Sequence, residues 1–253
     1  LDLVLDSSRA VITLTEEAKK SLESVLSGRQ KTIVIPHGYV VPPGGEVERK
    51  ETHCPPEVLL FGALRPNRDT ATTLVNTMLG TDSSDCRLAL VTRPFTHQQL
   101  TESPVLRTSL GMMQRDPRAK VELSLPLTDE EVVARIKQAD IMLLPYKEGG
   151  HSGQLELAYD CGVLPVCTNV GFLQSQAKAW PVERNNSYNI QIADWSDGRQ
   201  WLYQTRLLQA IRCALARLPD FKKSVDMEDR WNFRRQEHGE IIETHLEIYR
   251  KLI

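Results

Sequence analysis

The sequence predicts a doubly wound α/β fold built around a parallel sheet. Three observations carry this. Short apolar runs alternate with helix-like stretches, the connections between runs are too long for hairpins, and "IMLLP" (141–145) has no polar face at all. A wholly apolar strand is what a sheet covered on both faces requires.

In chain order, "AVITL" (10–14) reads as a strand, followed by the helix "TEEAKKSLESVL" with Thr15 as its cap. "KTIVI" (31–35) is a strand ending at the turn Pro36-His37-Gly38. Residues 42–57, dense in proline, glycine and charge, read as a linker. "VLLFGA" (58–63) and "RLALVT" (87–92) are strands, with a helix between them from Asp69 to Leu79. A further helix, broken near Pro104, leads to the strand "KVELSL" (120–125). Thr128 and Glu131 form a capping box in "TDEEVVARIKQA". After "IMLLP", a helix is expected from Gln154 to Cys161, then the strand "LPVCT". Two long helices, 199–218 and 231–253, end the chain.

Composition narrows the function. A chain of 253 residues holds one large or two modest domains, and 41 % apolar with 25 % charged residues is ordinary for a globular protein. The formal charge of −2 gives no electrostatic case for a nucleic-acid partner. No apolar run approaches the roughly 20 residues of a membrane span. Five cysteines are odd in number and form no CxxC pair. They therefore read as reduced core thiols of a cytosolic protein, with neither zinc spacing nor a disulfide framework. The tryptophans Trp180, Trp195, Trp201 and Trp231 are scattered as packing residues would be, not gathered into a carbohydrate platform.

Chemistry concentrates in "YKEGGHSGQLELAYDCGVLPV" (146–166), a strand-to-helix turn flanked by Glu148 and Glu156. A helix N-terminus offers unpaired N–H groups and the positive end of a dipole, which suits phosphate. Gly149, Gly150 and Gly153 permit close backbone approach, Ser152 adds a hydroxyl, and His151 adds an imidazole. Carboxylates do not serve phosphate, but they accept hydrogen bonds from sugar or ribose hydroxyls. A diphosphate flanked by hydroxyl-bearing rings, as in a nucleotide-sugar, has the implied shape. Taken alone, the stretch equally fits a glycine-rich loop with two surface glutamates. A second constellation, "FGALRPNRD", places Arg65 and Arg68 after a neighbouring strand, where two guanidiniums could clamp a diphosphate or simply solvate a loop.

In combination these stretches resemble the retaining glycosyltransferases of the GT-B fold, group-one type, family four. "EGGHSGQLE" looks like their E-x7-E motif, and "FGALRPNRD" is similar to their G-x-L-R-x-x-K-G phosphate-binding stretch. "IVIPHG", "QADIMLLPY", "CGVLPVCTNVG" and the closing "WNFRRQEHGEIIETHLEIYRKL" resemble further segments in the family's order. The resemblance implies a Rossmann-like donor-binding domain over 29–225. It also implies the last strand and helix of a largely missing acceptor domain at 1–28, and a C-terminal helix at 226–253 that packs back toward that domain. Glu148 would face the donor sugar and Glu156 the ribose. Gly62 would sit at the phosphate stretch, with Arg65 and Arg68 as its basic groups. Ser152 and Gly153 would present backbone amides to the diphosphate, and Leu125 would lie in the base-binding segment.

The chain departs from the family pattern at Gly150 and His151, which replace Phe-Gly, and at Asp69, which replaces glycine and could cap the following helix. His151 either reaches the diphosphate or fills the missing aromatic's space. His37 reads as a hinge residue. The implied activity is transfer of a sugar from a nucleotide-sugar to an acceptor hydroxyl with retention. No cofactor and no metal is expected. The acceptor would be a glycan, a lipid-linked or a small-molecule hydroxyl. The missing half would be a further domain or a partner chain, and could add peripheral membrane association to a cytoplasmic protein. The alternative is a non-catalytic nucleotide-sugar-binding or scaffold module. An epimerase or phosphorylase on the same fold matches the motif order less fully.

Overall fold

A computed structural model of the chain describes residues 8–25, 31–43, 54–124, 126–178 and 200–252. Leu125, Trp180 and Trp195 lie outside them, so the base-segment reading of Leu125 has no structural counterpart here.

The chain opens with a parallel pair, β1 (Ala10–Thr13) and β2 (Lys31–Val34), joined through α1 (Glu16–Glu23). Thr15 caps α1 as expected, its hydroxyl accepting from the Ala18 N–H at 3.2 Å. The main sheet contains β3 (Glu57–Phe61), β4 (Arg87–Thr92), β5 (Ala119–Leu123), β6 (Ile141–Leu144) and β7 (Leu164–Cys167). Its order is β5-β4-β3-β6-β7, and every pairing is parallel. The chain builds outward from β3 to one edge, then returns to β3's other side. This makes β3 and β6 neighbours at a topological switch point.

Strand alternation explains the apolar runs. Val58, Leu60, Leu88, Leu90, Ile141, Leu143 and Val166 face one layer, formed by α2 (Thr70–Gly80), α4 (Pro104–Arg115) and α8 (Gln200–Ser224). Leu59, Ala89, Val91, Met142 and Leu144 face the other, formed by α5 (Asp129–Lys137), α6 (Gly153–Asp160) and α7 (Leu173–Lys178). Both faces are covered, so neither set of alternate side chains needs to be polar.

The break at Pro104 is real. Between β4 and α4 lies the short α3 (His97–Glu102), with a capping box from Thr96 and Gln99, and Ser103 caps α4 at the break. Thr128 and Glu131 form the expected capping box of α5. Two expectations change. Asp69 stands at the N-cap of α2, at φ −94° and ψ 56°, without a side-chain cap hydrogen bond. The first long terminal helix does not end at residue 218; α8 continues through Pro219 to Ser224. Proline removes one helical N–H, yet Leu218 and Phe221 are buried around it, and Lys222 pairs with the Asp140 carboxylate. Packing on the sheet overrides the local break. The final helix, α9 (Met227–Leu252), starts within a few residues.

Candidate functional site

The two motif-bearing connections meet at the switch point. Residues 62–69 leave β3, residues 145–152 leave β6, and they bridge each other through Arg68 and Tyr146. The Asp69 N–H donates to the Pro145 carbonyl and the Lys147 N–H to the Asn67 carbonyl, both at 2.9 Å.

Gly62 turns the chain at the end of β3 with φ +106°, and a Cβ there would lie 2.9 Å from the Gln154 side-chain nitrogen. The space above β3 is therefore reserved for side chains of α6's first turn. Arg68 lies across this gap. Its Nη1 donates to the Phe61 carbonyl at 3.1 Å, its Nη2 donates to the Tyr146 hydroxyl, and its guanidinium stacks 4.5 Å from the Tyr146 ring. Its Nε is buried without a partner. Arg65 is exposed.

Tyr146 passes the connection on to α6, sharing a 2.8 Å hydrogen bond with the Ser152 hydroxyl. Ser152 is buried and N-caps α6, its Oγ accepting from the Leu155 N–H at 3.3 Å. Gln176 of α7 grips Ser152 at both ends: the Ser152 N–H donates to Gln176 Oε1 at 3.0 Å, and Gln176 Nε2 donates to the Ser152 carbonyl at 2.9 Å. The Ser152 amide is thus engaged within the protein. Among the described residues, the N–H groups of Gly153 and Gln154, at the first two positions of α6, have no acceptor.

Glu148 begins the loop and is exposed, whereas Glu156 is only 3 % exposed. Glu156 Oε1 accepts from Gln176 Nε2 at 2.6 Å, and Oε2 is ion-paired with Arg234 Nη2 from α9. Burial pushes the Glu156 carboxyl pKa up, the Arg234 charge and the Gln176 hydrogen bond oppose that push, and Asp160 adds to it. The structure thus separates the two glutamates, one on the loop surface and one inside an ion-pair network.

Two histidines approach the mouth of α6. The His151 ring packs against Phe172 with centroids 5.4 Å apart and a 30° tilt, and its Nε2 is buried without a partner. Its pKa is held below the ordinary imidazole range by burial and by the neighbouring His37. His37, on the turn after β2, is exposed, with Nε2 3.8 Å from where a Cβ of Gly153 would sit. The loop after β7 completes the wall. Gly171 adopts φ +53°, a Cβ there would lie 1.8 Å from the Gly149 carbonyl oxygen, and the Phe172 N–H donates to the Gly150 carbonyl at 2.8 Å. Among the described residues, no group of three His, Cys, Asp or Glu side chains is placed to hold a metal. No described helix is long and apolar enough to cross a membrane.

The structure thus brings together Gly62, Arg68, His151, Ser152 and Gly153 and draws His37, Tyr146, Gln154 and Gln176 in beside them. Tyr146 and Gln154 lie inside the motif stretch and were open to being read from it. Gln176 and Arg234 carry no local sequence signal.

Neither a protein-family model nor a curated protein matches the chain. Solved structures do. Sucrose-phosphate synthase from Thermosynechococcus elongatus superposes with TM-score 0.66 at 17 % identity, over 99 % of this chain and 60 % of the synthase. The pneumococcal O-GlcNAc transferase GtfA, solved with UDP and GlcNAc, gives 0.63 at 13 % identity, over 98 % of this chain and 46 % of that one. The UDP-forming trehalose-phosphate synthase from Burkholderia vietnamiensis gives 0.52 at 10 % identity, over 96 % and 60 %. The chain shares the Rossmann-like α/β fold of these GT-B enzymes. It spans about half to three fifths of the length of these structures.

Proposed function

We propose that this chain binds a nucleotide-sugar at the switch point and serves glycosyl transfer with retention of configuration, without a metal. The observation that carries the proposal is the convergence of Arg68, the open Gly153 and Gln154 amides and His151 on the gap between the ends of β3 and β6. Donors held rigidly at such a point stabilise a departing diphosphate without reorganising. Exposed Arg65 adds mobile positive charge, and Glu148 accepts from the sugar's hydroxyls. The acceptor is a glycan, a lipid-linked or a small-molecule hydroxyl, attacking from the face the diphosphate leaves. It is held by a domain or partner chain other than the elements described above. Glu156 serves the ribose only by exchanging its bond with Gln176 for a hydroxyl.

The engagement of Glu156 favours a second reading, a binding module that keeps the diphosphate site and does not turn over. Calorimetric titration of UDP, GDP, ADP and dTDP in EDTA tests the shared premise. One of them should bind below millimolar concentration, and Arg65→Ala should cost at most about 1.5–3 kcal/mol, the worth of a charge-assisted hydrogen bond. Absence of binding, or binding that requires magnesium, would contradict the site assignment. Hydrolysis of the matching nucleotide-sugar above background would then separate an enzyme from a binding module.

A further inference from the structure

We infer that His37 and His151 act as one imidazole pair that takes up a proton when the diphosphate binds, so that the site recognises the anion partly through a charge it does not carry when empty. This rests on the nucleotide site proposed above and adds His37 to it. In the sequence His37 belongs to a hinge turn far from the glycine-rich stretch. The structure sets its Nε2 over the first residue of α6, beside the open amides.

His151 supplies the second half. Its Nε2 is buried and unpaired, a donor or acceptor with nothing to satisfy it inside the protein. Phe172 packs against the ring, tilted by 30° with the centroids 5.4 Å apart. Two imidazoles near one another resist both being charged, and burial reinforces this, so the empty site favours a neutral His151. A diphosphate reverses the balance, because an anion beside an imidazole favours imidazolium and turns an orphan ring nitrogen into a charge-assisted donor.

Other charged groups surround the pair. Glu148 and Lys147 share the His151 loop, and Arg65, Arg68 and Asp69 lie on the connection after β3. On the α9 side, His238 packs against Tyr39 at 4.5 Å, and Arg234 and Glu237 lie in the buried network. Of these, the Asp69 carboxyl has its pKa pushed up by burial, with the Lys147 charge among the groups that oppose the push. The sign follows. Bound anion raises the imidazole pKa, protons enter from solvent, and affinity rises as pH falls through the window between the free and bound values. One coupled proton changes affinity by up to tenfold per pH unit in that window.

The test is calorimetry of UDP binding at pH 7.0 to 8.0 in two buffers of different ionisation enthalpy. This range lies above the nucleotide's own phosphate ionisation near pH 6. Wild type should take up close to one proton per UDP near pH 7, His37→Gln should take up clearly less, and His37→Gln/His151→Gln none. Inorganic pyrophosphate should bind the same site, since the pair reads the diphosphate. His37 is exposed, so the single variant keeps the fold, and matching melting temperatures would verify that. If UDP binds to wild type with the same proton uptake as to the double variant, the inference is wrong and the nucleotide site stands. If neither UDP nor pyrophosphate binds to wild type, the site assignment itself has failed, and the inference with it.

Discussion

At the scale of single residues, Arg234 ties three carboxylates to one guanidinium. It is 2 % exposed, with Nε on Asp160 at 2.8 Å, Nη1 on Glu237 at 2.6 Å and Nη2 on Glu156. Its guanidinium also lies 4.9 Å from the Tyr159 ring centroid. A second buried guanidinium, that of Arg230, lies 4.2 Å from the same ring centroid. Such a cluster does not by itself argue for high stability, because desolvation offsets much of the attraction. Removing one partner is another matter. Arg234→Met should cost about 3–5 kcal/mol by denaturant unfolding, since it strands buried carboxylates. Adding Glu156→Gln should recover part of that, because a neutral amide needs no counter-charge. A cost under 1 kcal/mol, or losses that simply add, would show the network to be weakly coupled.

At the scale of elements, much was legible and the reasons are local. Helix caps, apolar strands of four to six residues and the break at Pro104 are decided by neighbours along the chain, so Thr15 and Thr128 do what their spacing says, whereas the caps at Thr96 and Ser103 were not read in advance. Pro219 misled because buried packing on the sheet, invisible locally, outweighs one lost hydrogen bond. The site was legible in parts. Arg68 and the Gly-rich turn announced themselves, but the fate of Glu156 depends on Arg234, 78 residues away, and that of Ser152 on Gln176, 24 residues away. The β7–α7 loop was read only as a likeness, yet Gly171 seats the 149–150 turn. Gly171→Ala would place a Cβ 1.8 Å from the Gly149 oxygen at φ +53°. Left-handed backbone alone costs roughly 1–2 kcal/mol for a residue with Cβ, and the clash must displace the site's own loop. Thermal melting and UDP titration should therefore both fall. Lowered stability with unchanged affinity would show that the loop's position does not matter to the ligand.

At the scale of the whole molecule, three units meet at one carboxylate. Asp160, at the end of α6, accepts from the Val40 and Val41 N–H groups at 2.7 and 3.1 Å and from Arg234 Nε of α9. The chain leaving β2 is thus fastened to α6 through a group that α9 also holds. Nearby, Tyr39 packs on His238, and Ile241 sits 3.0 Å from where a Gly38 Cβ would be. This junction positions His37, which sits on the same segment. A region secured by so few bonds opens locally at lower cost than the doubly covered sheet. Asp160→Asn keeps the shape but turns one acceptor into a donor, so it can satisfy either Arg234 or the two amides, not both. Hydrogen exchange at Val40 and Val41 should accelerate at least tenfold, while β3, β4 and β6 keep their protection. UDP-linked proton uptake should fall with it, because His37 loses its fixed place over α6. Faster exchange spread evenly over the central strands would mean that Asp160 serves global stability instead. Unchanged exchange at Val40 and Val41 would mean that Tyr39 and Gly38 alone fasten the segment.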